Sequence, residues 1–402
     1  MSGPIRAYIQ YNCIAHYRRR IFELLSANKD VQFTIIADSE SDTPFLKVID
    51  DTICNIRQRI VKTKEISIGS VFTLFYQPEA LKIVAREKPD IIIALANPYS
   101  LTAWGLLILG RFMKIPILLW GHGLLENESG PKWWIRGLLY RLASGHLLYG
   151  DYAKKLLINK GFNENTLYVV YNSLDYDTQN KVAEETSQSE IKEYQQSLGI
   201  RDGQGLVVFT GRLQPVKRLD LLLHAICILA KKGKEVHVVL VGHGSEKKNL
   251  ESLAREGGIE YLVHFLGESY DERYLGLVLS ASDLCVIPSG AGLSIMHAMV
   301  YGTPVLLHNR LSEHFPEWEA VEDGVTGFFY EYGDIDDLTA KIKLAISSTR
   351  TKARMSEACK AIIRDKYNPH RQVEVFVRAV KEVIEKQRKW DIDLHKGTLK
   401  GL

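Results

Sequence analysis

The chain has 402 residues, a formal net charge of +3 and a hydrophobic content of 46%, a profile typical of a soluble globular protein with two or three domains. No long polybasic block is present, so a nucleic-acid partner is not favoured. The five cysteines are scattered without a CxxC pair, which argues for a reducing compartment and against a disulfide framework or a zinc site. We find no signal-peptide pattern, and charges and prolines interrupt the apolar stretch at 91–120. We therefore predict a cytoplasmic protein.

Apolar runs alternate with helical patterns over the first 176 residues. The predicted strands cover 5–10, 31–37, 53–61, 91–95, 115–120, 146–149 and 167–170. Helices are predicted at 17–27, 77–86, 101–112 and 152–159. Apolar strands separated by helices are typical of a parallel sheet covered on both faces. Residues 1–176 are therefore predicted to form one doubly wound α/β domain.

The composition changes after Asp175. Residues 177–204 are polar with few aliphatic side chains, and we predict a linker and a surface helix there. A second series of alternating strands and helices covers 205–368, which indicates a second doubly wound domain. A helix at 373–386 and a loosely held tail make up a terminal segment at 369–402, with packing against the first domain as one arrangement for it.

The stretch from Val286 to Val305 has the order strand, small-residue turn and helix. The turn is Ser-Gly-Ala-Gly at 289–292, and apolar residues at 293, 296 and 300 follow at helical spacing. The start of such a helix presents unpaired backbone N–H groups and the positive end of the helix dipole, which suits a phosphate. An ordinary βα turn with glycines for tight packing is the alternative.

A second glycine-containing loop follows the strand predicted at 206–210. Gly211 lets the backbone approach a ligand closely, and Arg212 and Lys217 come after it, in position to bind a diphosphate. A solvated basic loop is the alternative. The turn that contains Gly267 and Glu268 is predicted to border a base. Ligands of open α/β folds bind outside the carboxyl ends of the strands, so we expect a cleft between the two domains there.

Five segments of the second half carry a resemblance to a known family. They are GRLQPVKRLDLLLHAI, LVGHGSEKKNLESLA, VHFLGESYDERYLGLVLSASDLCVIPS, GLSIMHAMVYGTPV and EAVEDGVTGFF. In this order and spacing, over about 206–337, they resemble the family 4 retaining glycosyltransferases. The first half matches more loosely, through Trp-Gly-His-Gly at 120–123 and Asn-Ser-Leu-Asp at 172–175. The resemblance implies the GT-B fold, in which two Rossmann-like domains face a central cleft, and transfer of a sugar from a nucleotide-diphosphate donor with retained anomeric configuration.

The resemblance also assigns roles to individual residues. The donor phosphates would be bound by two cationic side chains and three backbone amides, those of Arg212, Lys217, Gly292, Leu293 and Ser294. His122 matches the family histidine that faces the donor sugar, with a capping or buried structural histidine as the alternative. Because the two cations would stabilise the leaving phosphate, no metal is expected, and no other cofactor.

One departure from the family pattern concerns two glutamates that lie eight positions apart, the first at the donor sugar and the second at the ribose. Here those positions hold Ser289 and His297. Both side chains can hydrogen-bond a hydroxyl, but neither reproduces a carboxylate. The departure leaves the donor open and gives weight to a catalytically silent nucleotide-sugar-binding subunit. His297 also has a plain core role as an alternative.

Two segments of the first half indicate the acceptor side. The loop at 11–20 contains His16 and Arg18 among aromatic and basic residues, which suits a carbohydrate or pyrophosphate-linked acceptor; a helix start with exposed arginines is the alternative. The segment at 132–141 joins aromatic and aliphatic residues to Lys132, Arg136 and Arg141. This pattern predicts a helix that lies on an anionic membrane, with an internal packing helix as the alternative.

The sequence therefore predicts a metal-independent hexosyltransferase. It would move a sugar from a UDP- or GDP-sugar to a glycan or lipid-linked saccharide in surface polysaccharide biosynthesis, at the inner face of the membrane. A sugar-nucleotide epimerase on the same fold is a rival. A glycan phosphorylase is disfavoured because the chain is short.

Overall fold

The computed structural model describes residues 3–40, 48, 57–68, 72–126, 128–347 and 349–399, with the side chains at 68, 72, 349–351 and 391–399 outside the described set. The chain folds into two compact units. The first takes the chain up to Asp175 and again from Pro369, and the second spans Tyr176–Asn368. Within the described ranges, no helix combines the length and apolar character that a bilayer crossing requires.

In the part of the chain that the structure describes, the strands form two parallel sheets and one hairpin. In chain order they are β1 (Ile5–Cys13), β2 (Val31–Asp38), β3 (Gln58–Ile60), β4 (Lys64–Ile68), β5 (Phe72–Tyr76), β6 (Ile91–Leu95), β7 (Ile117–Gly121), β8 (Gly145–Leu148), β9 (Leu167–Val169), β10 (Gly205–Thr210), β11 (Val236–Val241), β12 (Val263–Gly267), β13 (Leu284–Val286), β14 (Val305–His308) and β15 (Gly327–Tyr330). The first unit holds the sheet β3-β2-β1-β6-β7-β8-β9, and the second holds β12-β11-β10-β13-β14-β15. Strands β4 and β5 pair antiparallel.

Helices follow most strands. In chain order they are α1 (Arg19–Ser26), α2 (Pro78–Glu87), α3 (Leu101–Met113), α4 (Gly130–Arg141), α5 (Asp151–Asn159), α6 (Tyr176–Glu185), α7 (Gln188–Ser197), α8 (Leu219–Lys231), α9 (Lys247–Glu256), α10 (Glu272–Ser280), α11 (Ser294–Val300), α12 (Ile335–Ile346), α13 (Thr349–Asp365) and α14 (Pro369–Leu399). The alternation of parallel strands and helices gives each unit a Rossmann-like architecture, as the sequence predicts.

The last helix completes the first unit. In α14, Phe376 is fully buried and packs edge-on against Trp120 of β7, with ring centroids 4.8 Å apart. Gln372 of the same helix donates to the carbonyl oxygen of Tyr171 at 2.9 Å and accepts from the hydroxyl of Ser173 at 2.7 Å. One face of the first sheet is therefore covered by α1 and α14 and the other by α2 to α5.

Three regions differ from the sequence-based elements. The hairpin β4–β5 was not predicted, and the predicted strand at 53–61 is described only from residue 57, where it contains β3. The stretch predicted as linker and one surface helix forms α6 and α7, because Val182 is buried against Gly276 of α10. Helix α14 continues to Leu399, whereas the sequence analysis predicts a helix only to residue 386 and a loosely held tail after it.

Candidate functional site

The turns at the carboxyl ends of β10, β11 and β12 are tied together through their backbones. Leu213 donates to the carbonyl oxygen of His243 at 2.9 Å, and Gly242 donates to that of Gly267 at 2.8 Å. Gly242 has a φ of +147°, and a Cβ atom there would lie 1.9 Å from the carbonyl oxygen of Gly211. Only glycine permits this approach. The loop that carries Arg212 is thereby held beside the two neighbouring turns.

Lys217 connects the loop after β10 to the small-residue turn after β13. Its ammonium group donates to the carbonyl oxygen of Gly290, whose φ of +61° lies in the left-handed region. Burial lowers the pKa of Lys217, and the charge of Arg212 lowers it further. Two like charges are therefore held near this turn, and a bound anion would relieve their repulsion.

Two further hydrogen bonds hold the turn between Pro288 and Gly292 in place. The hydroxyl of Tyr330 donates to the carbonyl oxygen of Pro288 at 2.9 Å, and the amide of Ala291 donates to Nδ1 of His314 at 3.2 Å. Burial lowers the pKa of His314 to about 4, so its ring is neutral near pH 7 and Nδ1 can accept. The turn is thus pre-organised before any ligand arrives.

The predicted phosphate-binding residues lie at the end of this turn. Ser289 is 8% exposed within it. The carbonyl oxygen of Gly292 accepts from Ile295 at 2.9 Å, and that of Leu293 accepts from His297 at 3.0 Å. These bonds begin α11, whose first residue is Ser294. The amides of Gly292, Leu293 and Ser294 therefore belong to the initial turn, which has no earlier helical carbonyl to bind.

His297 lies one turn along α11 and contacts α10. Its Nε2 atom is 2.8 Å from Oε1 of Glu272. A histidine with a plain core role would be surrounded by apolar side chains, whereas His297 has a carboxylate partner. The base-side turn leads into the same helix, since Gly267 ends β12 and α10 begins at Glu272. In that turn Glu268 accepts a hydrogen bond from the hydroxyl of Tyr270.

The first unit has a hollow of about 510 Å³ at the carboxyl ends of its strands. Residues from the ends of β1, β2, β6, β7 and β8 line it, together with Arg18, Lys62, Thr63, Tyr99, His122 and Arg136. Asp38 accepts from the amide of Thr63 at 2.6 Å and lies 3.5 Å from the ammonium group of Lys62. Both hydrogen-bonding groups and aromatic rings thus face this space.

Arg18 is the one charged side chain of the 11–20 segment among the residues that line the hollow. It is only 6% exposed, and its guanidinium carbon lies 5.3 Å from the ring centroids of both Trp120 and Tyr149. The aromatic faces stabilise this buried cation. The structure therefore contradicts the alternative of exposed arginines for Arg18. His16 instead packs edge-on against Tyr17, with centroids 5.6 Å apart.

His122 follows β7 and lies against Tyr149, with ring centroids 5.0 Å apart. Burial lowers the pKa of His122 to about 4, and the charges of Arg18 and Arg136 act in the same direction. The imidazole is therefore neutral at physiological pH, with one nitrogen as donor and the other as acceptor. In that form it can hydrogen-bond a neutral hydroxyl without bringing a further charge.

Two family models match successive parts of the chain. The model described as Glycosyltransferase Family 4 matches residues 20–178, and the model described as Glycosyl transferases group 1 matches residues 190–361. The chain belongs to the family 4, group 1 glycosyltransferases. The resemblance inferred from the sequence motifs is confirmed.

Relatives of this glycosyltransferase include the sulfoquinovosyl transferase SQD2 of Arabidopsis thaliana, 24% identical over 72% of this chain and 56% of the relative. The D-inositol 3-phosphate glycosyltransferase of Nocardia farcinica is 37% identical over 32% of this chain and 30% of the relative. The chain thus spans about half of the length of the first relative and about a third of the second.

Solved structures show the same fold. Anabaena HepE in complex with UDP has a TM-score of 0.70 and 21% identity, over 94% of this chain and 100% of HepE. HepE has also been solved with UDP-glucose, with a TM-score of 0.66 over 96% of this chain and 100% of that one. The predicted fold, GT-B with two Rossmann-like domains, is therefore confirmed.

The sequence analysis assigns no role to two residues near the predicted donor site of this glycosyltransferase. His314 is 1% exposed beneath the turn at 288–292, and no motif marks it. Glu272 opens α10, and the sequence analysis includes it only within one of the family segments. Each acts through a contact to a residue more than twenty positions away, His314 to Ala291 and Glu272 to His297. Such pairings have no signal in sequence spacing.

Proposed function

We propose that this glycosyltransferase transfers a hexose from a nucleotide-diphosphate sugar with retention of the anomeric configuration. The proposal is supported chiefly by the contact of Lys217 with Gly290, beside Arg212. This contact gives the small-residue turn two nearby cations. A diphosphate is the leaving group that such a pair suits, because its oxygens accept charge-assisted hydrogen bonds.

Sugar transfer requires positive charge near the leaving phosphate. As the bond between the anomeric carbon and the phosphate oxygen breaks, its electron pair leaves with the phosphate, and the sugar becomes cation-like. Positioned cations and backbone amides stabilise the developing negative charge without reorganising. Arg212 and Lys217 fill that role, so we propose a metal-independent transfer that needs no further cofactor. Ser289 and the neutral His122 are proposed to contact the transferred sugar.

The donor is proposed to carry uridine. HepE, whose fold this chain shares, has been solved with UDP and with UDP-glucose. A GDP-sugar is the other donor that the sequence allows. The turn with Gly267 and Glu268 would border the base, since it is tied by backbone to the turn after β11.

The acceptor is proposed to be a glycan or lipid-linked saccharide in surface polysaccharide biosynthesis. The hollow of the first unit supports this choice because it combines aromatic rings with hydrogen-bonding side chains such as Asp38 and Arg18. Aromatic faces suit the apolar face of a sugar ring, and carboxylates accept from its hydroxyls. Arg18, which lines the hollow, is proposed to lie on this acceptor side. His16, two residues before it in the chain, is proposed to lie on the same side.

The proposed function is tested by incubating the protein with a panel of radiolabelled UDP- and GDP-sugars, with and without a lipid or glycan extract. Transfer of label, or slow release of free sugar, supports the transferase. Ser289 and His297 replace two carboxylates, which favours a silent nucleotide-sugar-binding subunit as the second candidate. That candidate predicts binding without turnover. Conversion of the donor into its epimer would instead reveal an epimerase.

Helix α4 is proposed to contact the membrane through its apolar side chains. Trp134 is 71% exposed, and Ile135 and Leu138 are also exposed. Lys132 and Arg136 both pair with Glu128, at 3.4 Å and 2.9 Å, so much of the predicted basic charge is neutralised locally. The exposed tryptophan is therefore the main anchor of this surface, at an interface where indole rings are favoured.

Replacing Trp134 with alanine is expected to lower, at least several-fold, the fraction of protein that sediments with anionic vesicles. Trp133 provides a matched comparison because Arg141 and Lys160 pack over its ring, at 5.7 Å and 5.1 Å. Trp133→Ala is expected to lower the melting temperature instead, since it removes internal packing. Unchanged sedimentation of Trp134→Ala would contradict membrane contact through α4.

A further inference from the structure

Two consecutive residues between β14 and β15 bind both backbone groups of Ala291, in the small-residue turn after β13. Nδ1 of His314 accepts from the amide of Ala291 at 3.2 Å, and the amide of Phe315 donates to the carbonyl oxygen of Ala291 at 2.8 Å. Nε2 of His314 lies 3.1 Å from the carbonyl oxygen of His308. A carbonyl oxygen only accepts, so Nε2 carries the hydrogen and Nδ1 is the acceptor. Backbone contacts thus fix Phe315 beside the turn.

The ring of Phe315 lies against the turn at Gly292. A Cβ atom added to Gly292 would lie 3.2 Å from Cδ2 of this ring. Phe315 nevertheless remains 45% exposed, whereas Phe209 and Phe328 of the same unit are buried. A single exposed apolar side chain is ordinary on a protein surface, so the position of this ring matters more than its exposure. Part of an aromatic surface is open to solvent directly at the turn.

Lys217 has the equivalent place two residues earlier in the turn. A Cβ atom added to Gly290 would lie 3.2 Å from the ammonium nitrogen of Lys217. Consecutive Cα atoms are about 3.8 Å apart, so Gly290 and Gly292 are separated by at most roughly 7–8 Å. One short turn therefore has a cation packed on its first glycine and an aromatic ring packed on its second.

The order of the strands places this ring away from the turn proposed to border the base. The second sheet has the order β12-β11-β10-β13-β14-β15. The loop with Lys217 follows β10 and the small-residue turn follows β13, at the centre of the sheet. The base-side turn follows β12 on one side of this centre, and Phe315 follows β14 on the other. In a nucleotide-diphosphate sugar the diphosphate separates the nucleoside from the hexose. A donor with its base near β12 would therefore extend its hexose toward β14.

We propose that the ring of Phe315 packs against the apolar face of the hexose that is transferred, and that it helps to select this hexose. Aromatic rings suit such a face, which presents C–H groups between the hydroxyls. His314 is the positioning residue, because it holds the turn on which Phe315 packs. This inference rests on the proposed function, since it assumes that a nucleotide-diphosphate sugar binds at the turn.

The experiment measures the affinities of UDP, UDP-glucose and UDP-galactose by calorimetry. Phe315→Ala is expected to weaken binding of the preferred UDP-hexose about fivefold and to leave UDP affinity within about twofold. The two hexoses differ in the orientation of one hydroxyl and therefore in their apolar faces, so the ratio of their affinities should move toward one. Phe315→Tyr keeps the ring and should keep the wild-type affinities.

Two further variants separate a specific contact from other effects. Tyr261 is 56% exposed and precedes β12, at the opposite edge of the sheet, so Tyr261→Ala removes an exposed ring and should change none of the three affinities. His314→Ala removes a support of the turn and should weaken UDP and both UDP-hexoses alike, which gives the pattern of a loosened site.

The inference is overturned if Phe315→Ala binds the UDP-hexoses as the wild type does, or if it weakens UDP as much as the UDP-hexoses. It is also overturned if the wild type binds UDP but neither UDP-hexose. A wild-type protein that binds neither UDP nor GDP overturns the proposed function itself. If GDP binds more tightly than UDP, then GDP, GDP-glucose and GDP-mannose provide the same comparison.

Discussion

Replacing Arg212 and Lys217 together with alanine is expected to weaken UDP binding by about 3 kcal/mol, on the order of 100-fold in the dissociation constant. The double change removes both cations proposed to bind the diphosphate. It also removes the hydrogen bond from Lys217 to the carbonyl oxygen of Gly290, so the turn loses one of its supports. Isothermal titration calorimetry with UDP and with GDP measures the effect.

The chain offers a matched control in Arg218, which follows Lys217 directly. Its guanidinium pairs with Asp220 at 3.0 Å, so its charge already has a carboxylate partner. Arg218→Ala removes one of the neighbouring positive charges, where the double change removes two, and is expected to change UDP affinity by less than about threefold. Wild-type affinity in the double variant would refute the assignment of Arg212 and Lys217 to the diphosphate.

Replacing His122 with alanine is expected to slow turnover on the order of 100-fold while UDP affinity changes little. The loss of one pre-organised hydrogen-bonding group commonly has this magnitude in the chemical step. Because burial holds the pKa of His122 near 4, the ring stays neutral above about pH 5. The wild-type pH profile should therefore show no step near pH 6.5 that disappears in the variant.

His146 is the matched control for this experiment. It is also a buried histidine of the first unit whose pKa burial lowers to about 4, and it packs against Tyr140 and Phe162. His146→Phe should alter the melting temperature and leave kcat nearly unchanged. If His122→Ala retains wild-type turnover, or if both variants slow turnover equally, His122 has no specific part in transfer.

The architecture could be predicted from sequence because it depends on local patterns. Strands such as β10 and β11 are continuous apolar runs, and buried parallel strands have that composition. The turns after them carry glycines for a steric reason that the structure makes plain at Gly242. Helix α6 was harder to place because its composition is polar overall, and one buried residue, Val182, packs it onto the second unit.

The details of the candidate site were only partly predictable. Spacing placed Arg212 and Lys217 on one loop, but the contact of Lys217 with Gly290 joins residues 73 positions apart. Sequence also could not distinguish Trp133, whose side chain is partly buried beneath Arg141, from its exposed neighbour Trp134. These outcomes depend on which way a side chain faces after folding. Periodicity can suggest such a direction over a long helix, but not for a single residue in a short one.

The position of α14 determines which unit a truncation near the end of the chain destabilises. The chain leaves the first unit at Asp175 and re-enters it at Pro369, so the second unit is an insertion within the first. A stop codon just after residue 368 would spare every strand of both sheets. The truncated protein would nevertheless lack Phe376, which packs against the ring of Trp120. The lost packing would therefore destabilise the first unit, most of which is synthesised before the second.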